Sequence, residues 1–143
     1  MTAMTDNDLV FVFVYGTLRT GQSNHHRVAN WVMEQKNATI QGELYHLPYG
    51  YPAVVLGTGT VHGELVAFSD TNAALQVMDY LEGYAGPGLD NYYDRVPVTA
   101  VTEDGEQVRC FVYVFPVNRK PWLDTSTIQI EGGDWIEYIQ TGG

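Results

Sequence analysis

Cationic side chains are scarce in this sequence. Seven Lys and Arg stand against 17 Asp and Glu, for a formal net charge of −10. A surface of that sign repels phosphate backbones and anionic lipid, so nucleic-acid and membrane partners are not expected. Cysteine is nearly absent, and the single Cys110 excludes an internal disulfide, as suits a reducing compartment. Long apolar runs are missing as well. The run Leu9–Val14 is too short to span a bilayer, and Asp6 and Asp8 precede it, so neither a signal peptide nor a transmembrane helix is read here. The expected location is cytoplasmic. There is no repeat, low-complexity tract or linker, and 143 residues suit a single domain with a sizeable core. Residues 1–8 read as a frayed tail and 118–143 as an irregular C-terminal extension.

What is present is apolar residues at 45%, 15 Gly and 10 Tyr, a composition of turn-rich β structure rather than of disorder. Residues 9–14 form an unbroken apolar run, the signature of a strand buried on both faces. It leads into Tyr15-Gly16-Thr17-Leu18-Arg19-Thr20-Gly21, a loop where backbone N–H groups can point at a ligand. The spacing of Val28, Ala29, Val32 and Met33 predicts a helix over 24–34, capped by Ser23 or Asn24. Strands are predicted over 38–47, 53–56 and 60–68, with a turn at Gly57 and Gly59. A helix from Asp70 or Thr71 ends at Gly83, and two strands, 92–102 and 107–117, flank Asp104-Gly105 as a hairpin. A short helix is read near 134–139. The order β-α-β-β-β-α-β-β predicts an α+β fold with a mixed or mostly antiparallel sheet, with enough strands to close into a small β-barrel flanked by two helices.

One residue stands out on the second helix. Glu82 projects within about 20° of Leu75 and follows Met78 by one turn, so it lies on the apolar stripe. A carboxylate there must be paired, hydrogen-bonded or protonated, or else swing out to water at the frayed helix end. Facing inward, it would have a raised pKa and serve as proton acceptor and donor. Asp79 lies nearer the polar flank.

Other chemistry finds less support. His25 and His26 are adjacent and face different ways on a helix, and His46 and His62 complete no metalloprotease pattern, so no metal or cofactor is expected. Cys110, in an apolar strand, reads as an inert buried thiol. Ser23 lacks the setting of a nucleophile elbow, and the Gly16–Gly21 loop has neither the P-loop nor the dinucleotide pattern. Trp31, Trp122 and Trp135 read as core or cavity walls, with Trp122 and Trp135 alternatively a lid.

Four segments together resemble the γ-glutamylcyclotransferase-like family, in its short bacterial, AIG2-like branch. They are Tyr15–Gly21, Asp79-Tyr80-Leu81-Glu82-Gly83-Tyr84, Tyr93-Asp94-Arg95-Val96-Pro97-Val98 and Cys110–Phe115, and with the opening strand they cover about residues 9–117. The resemblance implies a small mixed barrel. It implies a pocket floored by Tyr15, Gly16, Thr17 and Leu18 and faced by Glu82, and cleavage of a small-molecule γ-glutamyl amide to 5-oxoproline and a free amine. Glu82 would be the general acid/base. Tyr15 and Tyr113 would line the pocket, core packing being the alternative for Tyr113. Arg95 stays open between a substrate carboxylate and a structural ion pair. A small-molecule-binding module without turnover on the same barrel, and an interaction domain using the aromatic tail, are the competing readings.

Overall fold

The computed structural model describes residues 11–48, 50–116 and 127–141. The opening strand, β1 (Phe11–Val14), packs side chains to both sides: Phe13 into the barrel, Val12 and Val14 against the outer helix layer. Its antiparallel partner is β3 (Pro52–Phe68), and β3 pairs in turn with β2 (Val32–His46). On the other side β1 runs parallel to β5 (Gln107–Val114), which pairs antiparallel with β4 (Asp94–Thr102). A short β2–β4 pairing closes five strands into a barrel in the order β3-β1-β5-β4-β2. The expected mixed barrel is what the chain forms. Closure leaves few open edges for other chains to add to.

The helix expected over 24–34 does not form. Two 3₁₀ turns, His25–Arg27 and Ala29–Trp31, lead directly into β2. Val28 is buried, but Met33 is 71% exposed, so the apparent helical stripe was never one face. A helix of that length is marginal without a packed side. Pairing of β2 from Val32 onward along β3 satisfies its backbone groups instead. The turn expected at Gly57 and Gly59 is a bulge, not a reversal. Gln41 pairs with Thr60 and Glu43 with Val55, so Leu56–Gly59 stand opposite Gly42 while β3 keeps its direction.

The helix expected from Thr71 is α1 (Thr71–Glu82). Asp70 caps it by accepting from Ala73 N–H at 3.0 Å, and Gly83 ends it in the left-handed conformation at φ 66°. Ala74, Leu75 and Met78 press α1 onto the outside of β1, β3 and β5, in one cluster with Val12, Val14, Val66 and Phe111. The second helix, α2 (Trp135–Gln140), follows β6 (Ile128–Gln129), which adds to the barrel beside β2. Trp135 is 5% exposed within the barrel core, and its Nε1–H donates to His46 Nδ1 at 3.1 Å. It is a plug rather than a lid. Trp122, the tail of residues 1–8 and the first part of the C-terminal extension lie outside the described residues. No helix among the described residues is long and apolar enough to cross a membrane.

Candidate active site

The loop that leaves β1 is held from three sides. Tyr15, buried, donates its hydroxyl to the Tyr113 carbonyl at 2.6 Å, tying the loop base to β5. Arg19 N–H closes a turn on the Gly16 carbonyl at 3.0 Å, and Asn24 N–H reaches the Thr17 carbonyl at 2.9 Å. The Asn24 side chain donates to Thr17 Oγ1, also at 2.9 Å, instead of capping a helix. These bonds use the carbonyls of Gly16 and Thr17 and none of the N–H groups of Gly16, Thr17 or Leu18. Gly16 is required by close approach: a Cβ there would lie 2.6 Å from Pro52 Cγ.

Opposite stands the end of α1. The left-handed cap at Gly83 turns the chain so that Tyr84 N–H returns to the Asp79 carbonyl and Tyr93 N–H to the Glu82 carbonyl. Asn91, 3% exposed, braces the 84–91 loop. Its side chain accepts from Ala85 N–H and donates to the Gly86 carbonyl and to Asp94. Sequence reading passed over Asn91, because its role depends on backbone groups that only the folded loop brings to it.

Between these elements lies a cavity of about 770 Å³. Tyr15, Gly16, Thr17, Leu18, Glu82 and Tyr113 all line it, so six of the seven residues singled out from sequence meet in one place. The remaining wall comes from residues that sequence reading missed: Asn24, Leu47, Tyr51, Pro52, Tyr80, Tyr92, Tyr93, Phe115 and Thr127 among them. Their one linear signal is the clustering of tyrosines beside Gly and Pro turns.

Arg95 is the exception. It does not line the cavity. Its Nη1 meets Asp79 Oδ2 at 2.6 Å, and its guanidinium lies over the rings of Tyr84 and Phe111 at 5.1 and 5.0 Å. The ion pair is therefore the reading of Arg95 that the structure shows. Tyr113 joins it by donating its hydroxyl to Asp79 Oδ1 at 2.6 Å. Asp79 thus ties α1 to β4 and β5.

Glu82 makes no ion pair among the described residues. The residue is half-buried because it opens onto the cavity, but its carboxyl is walled by protein, and desolvation raises its pKa to about 7. Burial likewise pushes the Tyr15 hydroxyl well above its usual range, with Tyr93 and Glu82 adding to the effect, so Tyr15 stays neutral and acts as a strut. The Cys110 thiol, buried in the barrel, is pushed up to about 12 and is inert. His25 Nδ1 lies 3.0 Å from the Leu18 carbonyl, and His46 is taken by Trp135. Chemically, the arrangement offers one carboxylate that can hold or release a proton near neutrality, across an enclosed space from the Gly16–Leu18 amides, which donate in none of the loop's bonds among the described residues.

Known proteins share this chain's sequence pattern and its fold. The family model described as gamma-glutamyl cyclotransferase, AIG2-like, matches residues 12–137. The chain belongs to that family. It is an enzyme of the γ-glutamylcyclotransferase type, acting on a small γ-glutamyl compound. The gamma-L-glutamyl-butirosin B gamma-glutamyl cyclotransferase of Niallia circulans is 35% identical over 128 residues, 89% of this chain and 76% of that protein. The gamma-glutamylcyclotransferase family protein YtfP of Escherichia coli K12 is 33% identical over 126 residues, 88% of this chain and 96% of the relative. An AIG2-like protein of Mus musculus shares the fold at a TM-score of 0.66 and 21% identity, covering 89% of this chain and 88% of the mouse chain.

Proposed function

We propose that this cyclotransferase cleaves its γ-glutamyl amide by intramolecular aminolysis, with Glu82 as the single proton carrier. The substrate brings its own nucleophile. Its α-nitrogen reaches the γ-carbonyl and closes a five-membered ring, so no side-chain nucleophile and no metal is needed to form the new bond. The α-nitrogen arrives as an ammonium ion, and Glu82 takes its proton. The freed amine attacks, Glu82 gives its proton to the departing nitrogen as the C–N bond breaks, and Glu82 then takes the second proton that the ring nitrogen sheds and passes it to the product amine, which leaves as its ammonium ion. The products are 5-oxoproline and the amine, with no water consumed.

The cavity contributes by folding the glutamyl group into attack geometry, an effect that reaches several kcal/mol. The N–H groups of Gly16, Thr17 and Leu18 are the available donors for the developing oxyanion or for the substrate α-carboxylate. Tyr15 and Tyr113 act as walls, their hydroxyls being engaged by the Tyr113 carbonyl and by Asp79. Arg95 serves the site indirectly, by holding α1 through Asp79.

The observation that carries this reading is the desolvated Glu82 carboxyl, without an ion pair among the described residues, on the cavity wall opposite the β1 loop. Release of 5-oxoproline from γ-glutamyl amides, followed for the wild type and Glu82→Gln, tests it. The variant should lose at least about a thousandfold in kcat with folding intact, somewhat within the usual range for a lost acid/base group. Near-full activity in Glu82→Gln would assign the proton transfer elsewhere.

A further inference from the structure

We propose that Arg19 is a positioning residue for the cyclisation. Clamped between Glu64 and Asp134, its guanidinium fixes the backbone that carries the Gly16, Thr17 and Leu18 amides, and through it the Asp134 cap of α2 supports the site. The inference rests on the reaction proposed above, in which those amides hold an anionic group of the substrate. Arg19, Glu64 and Asp134 do not themselves line the cavity.

The bonds of the β1 loop converge on Arg19. Its N–H closes the turn on the Gly16 carbonyl at 3.0 Å, and its own carbonyl accepts from Gln22 N–H at 2.9 Å. A displacement of Arg19 is therefore passed back to Gly16. The side chain is buried, with Nη1 donating to Asp134 Oδ1 at 2.9 Å and Nε standing 3.7 Å from Glu64 Oε2. Glu64 lies beside Val14, the last residue of β1, in the β1–β3 register. Its Oε1 accepts from Thr20 N–H at 3.0 Å and from the Thr20 hydroxyl at 2.8 Å. The two residues that follow Leu18 are thus both tied to β3 through one carboxylate.

Asp134 comes from near the other end of the chain, 115 residues beyond Arg19. The oxygen that meets Arg19 also accepts from Ile136 N–H at 3.1 Å and Glu137 N–H at 3.3 Å, where it caps α2. Gly133, just before it, accepts from His62 N–H at 2.7 Å, and a Cβ on Gly133 would run into the Thr60 carbonyl. The cap is seated on β3, and Trp135 follows it into the barrel core.

Stability alone accounts poorly for this arrangement. The buried Nε has no hydrogen-bond acceptor among the described residues, and its distance to Glu64 is that of an ion pair only. A buried donor left unmade is costly, and desolvation offsets much of the attraction in a buried ion pair. Two carboxylates from separate elements do give a planar guanidinium a defined place.

The test follows 5-oxoproline release by the full chain from the γ-glutamyl amides of n-butylamine and 1,4-diaminobutane and from ε-(γ-glutamyl)lysine. Each variant is assayed at a temperature where its denaturation curve shows it folded. Arg19→Met removes the charge and keeps much of the length. Its kcat/KM should fall by about tenfold or more, as misplaced positioning groups imply. The pH midpoint should stay near 7, because Glu82 is untouched. Arg19→Lys, which keeps a charge for one of the two carboxylates, should recover at least about threefold of the loss. Asp134→Asn leaves Arg19 in place and keeps a side chain that caps α2, so the test survives a failure of Arg19→Met to fold. It should lose about fivefold. The Arg19→Met/Asp134→Asn double variant should lie within about twofold of Arg19→Met, because both changes act through one contact. Losses that multiply in the double variant would overturn the inference. So would unchanged kcat/KM in folded Arg19→Met or Asp134→Asn, and an inactive Glu82→Gln beside them would leave the reaction standing. Absence of 5-oxoproline from all three amides with the wild type would overturn the proposed reaction, and this inference with it.

Discussion

Asp79 and Glu82 stand three residues apart at the C-terminal end of α1, and the fold treats them in opposite ways. Asp79 is clasped by Arg95 at 2.6 Å and by the Tyr113 hydroxyl at 2.6 Å. Glu82 faces the cavity with no cation among the described residues, and its pKa rises to about 7. One acid anchors the helix that carries the other. The pairing also keeps Arg95 from neutralising Glu82, which leaves a carboxyl poised to exchange a proton near neutral pH.

Stability should therefore depend on the protonation of Glu82. Its folded pKa lies above its ordinary value of 4.5, so the folded state binds the proton more tightly than the unfolded chain. That contribution is fully present below about pH 4.5 and is lost as pH rises through about 7. Glu82→Gln removes the dependence. The variant should match the wild type near pH 5 and exceed it at pH 8 by on the order of 2 kcal/mol, discounted for the open cavity. Urea denaturation at both pH values measures this, and equal stabilities at pH 8 would contradict it.

The pH profile of turnover should carry the same group. A base must be deprotonated to accept the α-ammonium proton. kcat/KM should rise with pH to a plateau, with a midpoint near 7 in the free enzyme. A rate that falls across the same interval would require Glu82 to enter the reaction protonated.

Asp79→Asn should act on stability before chemistry. It leaves the Arg95 guanidinium without its charge partner, half-buried between two rings, and weakens the hold of β4 and β5 on α1. A loss of about 2 kcal/mol is expected for such a pair, lower than for a fully buried one. Chemical denaturation reads the loss. At a temperature where the variant stays folded, KM should rise with little change in the pH midpoint.

Gly16→Ala should displace the cavity floor. The new methyl would meet Pro52 at a distance that neither backbone nor ring can absorb in place. Overpacking of this kind costs about 1–3 kcal/mol. The shift moves the Gly16–Leu18 amides, so activity should drop by at least about tenfold, as misplacement of positioning groups implies. A fully active, fully stable variant would show that the loop does not contact substrate.

Trp135→Ala separates a plug from a lid. Removing a buried Trp ring from the barrel core should cost about 3–5 kcal/mol, measured by thermal or chemical unfolding. A lid would behave oppositely, with unchanged stability and a raised KM.

Much of the site was legible in the sequence because its signals are local. A run of apolar residues ending at Tyr15-Gly16, and a carboxylate on the apolar side of a capped helix, each need only a few neighbours to be recognised. The helix from Thr71 was readable for the same reason: Asp70 and Gly83 mark both ends, and Ala74, Leu75 and Met78 form one buried face. The stretch 24–34 lacked that closure. Val28 is buried and Met33 exposed, and the pairing of Val32 with Phe68, far along the chain, decided its conformation.

By itself, then, the order of residues determined the opening strand, the β4–β5 hairpin, the cap and stop of α1, and the apolar stripe on which Glu82 lies, all of which follow from steric and hydrophobic preferences acting over a turn or two. Only the tertiary structure decided the partners. It sent Arg95 to Asp79 rather than to the cavity, set Trp135 in the barrel core, and brought Tyr51, Tyr80 and Tyr92 to the lining of one cavity. Such meetings join residues from separate elements, and their energies come from burial and charge geometry that exist only once the strands have closed.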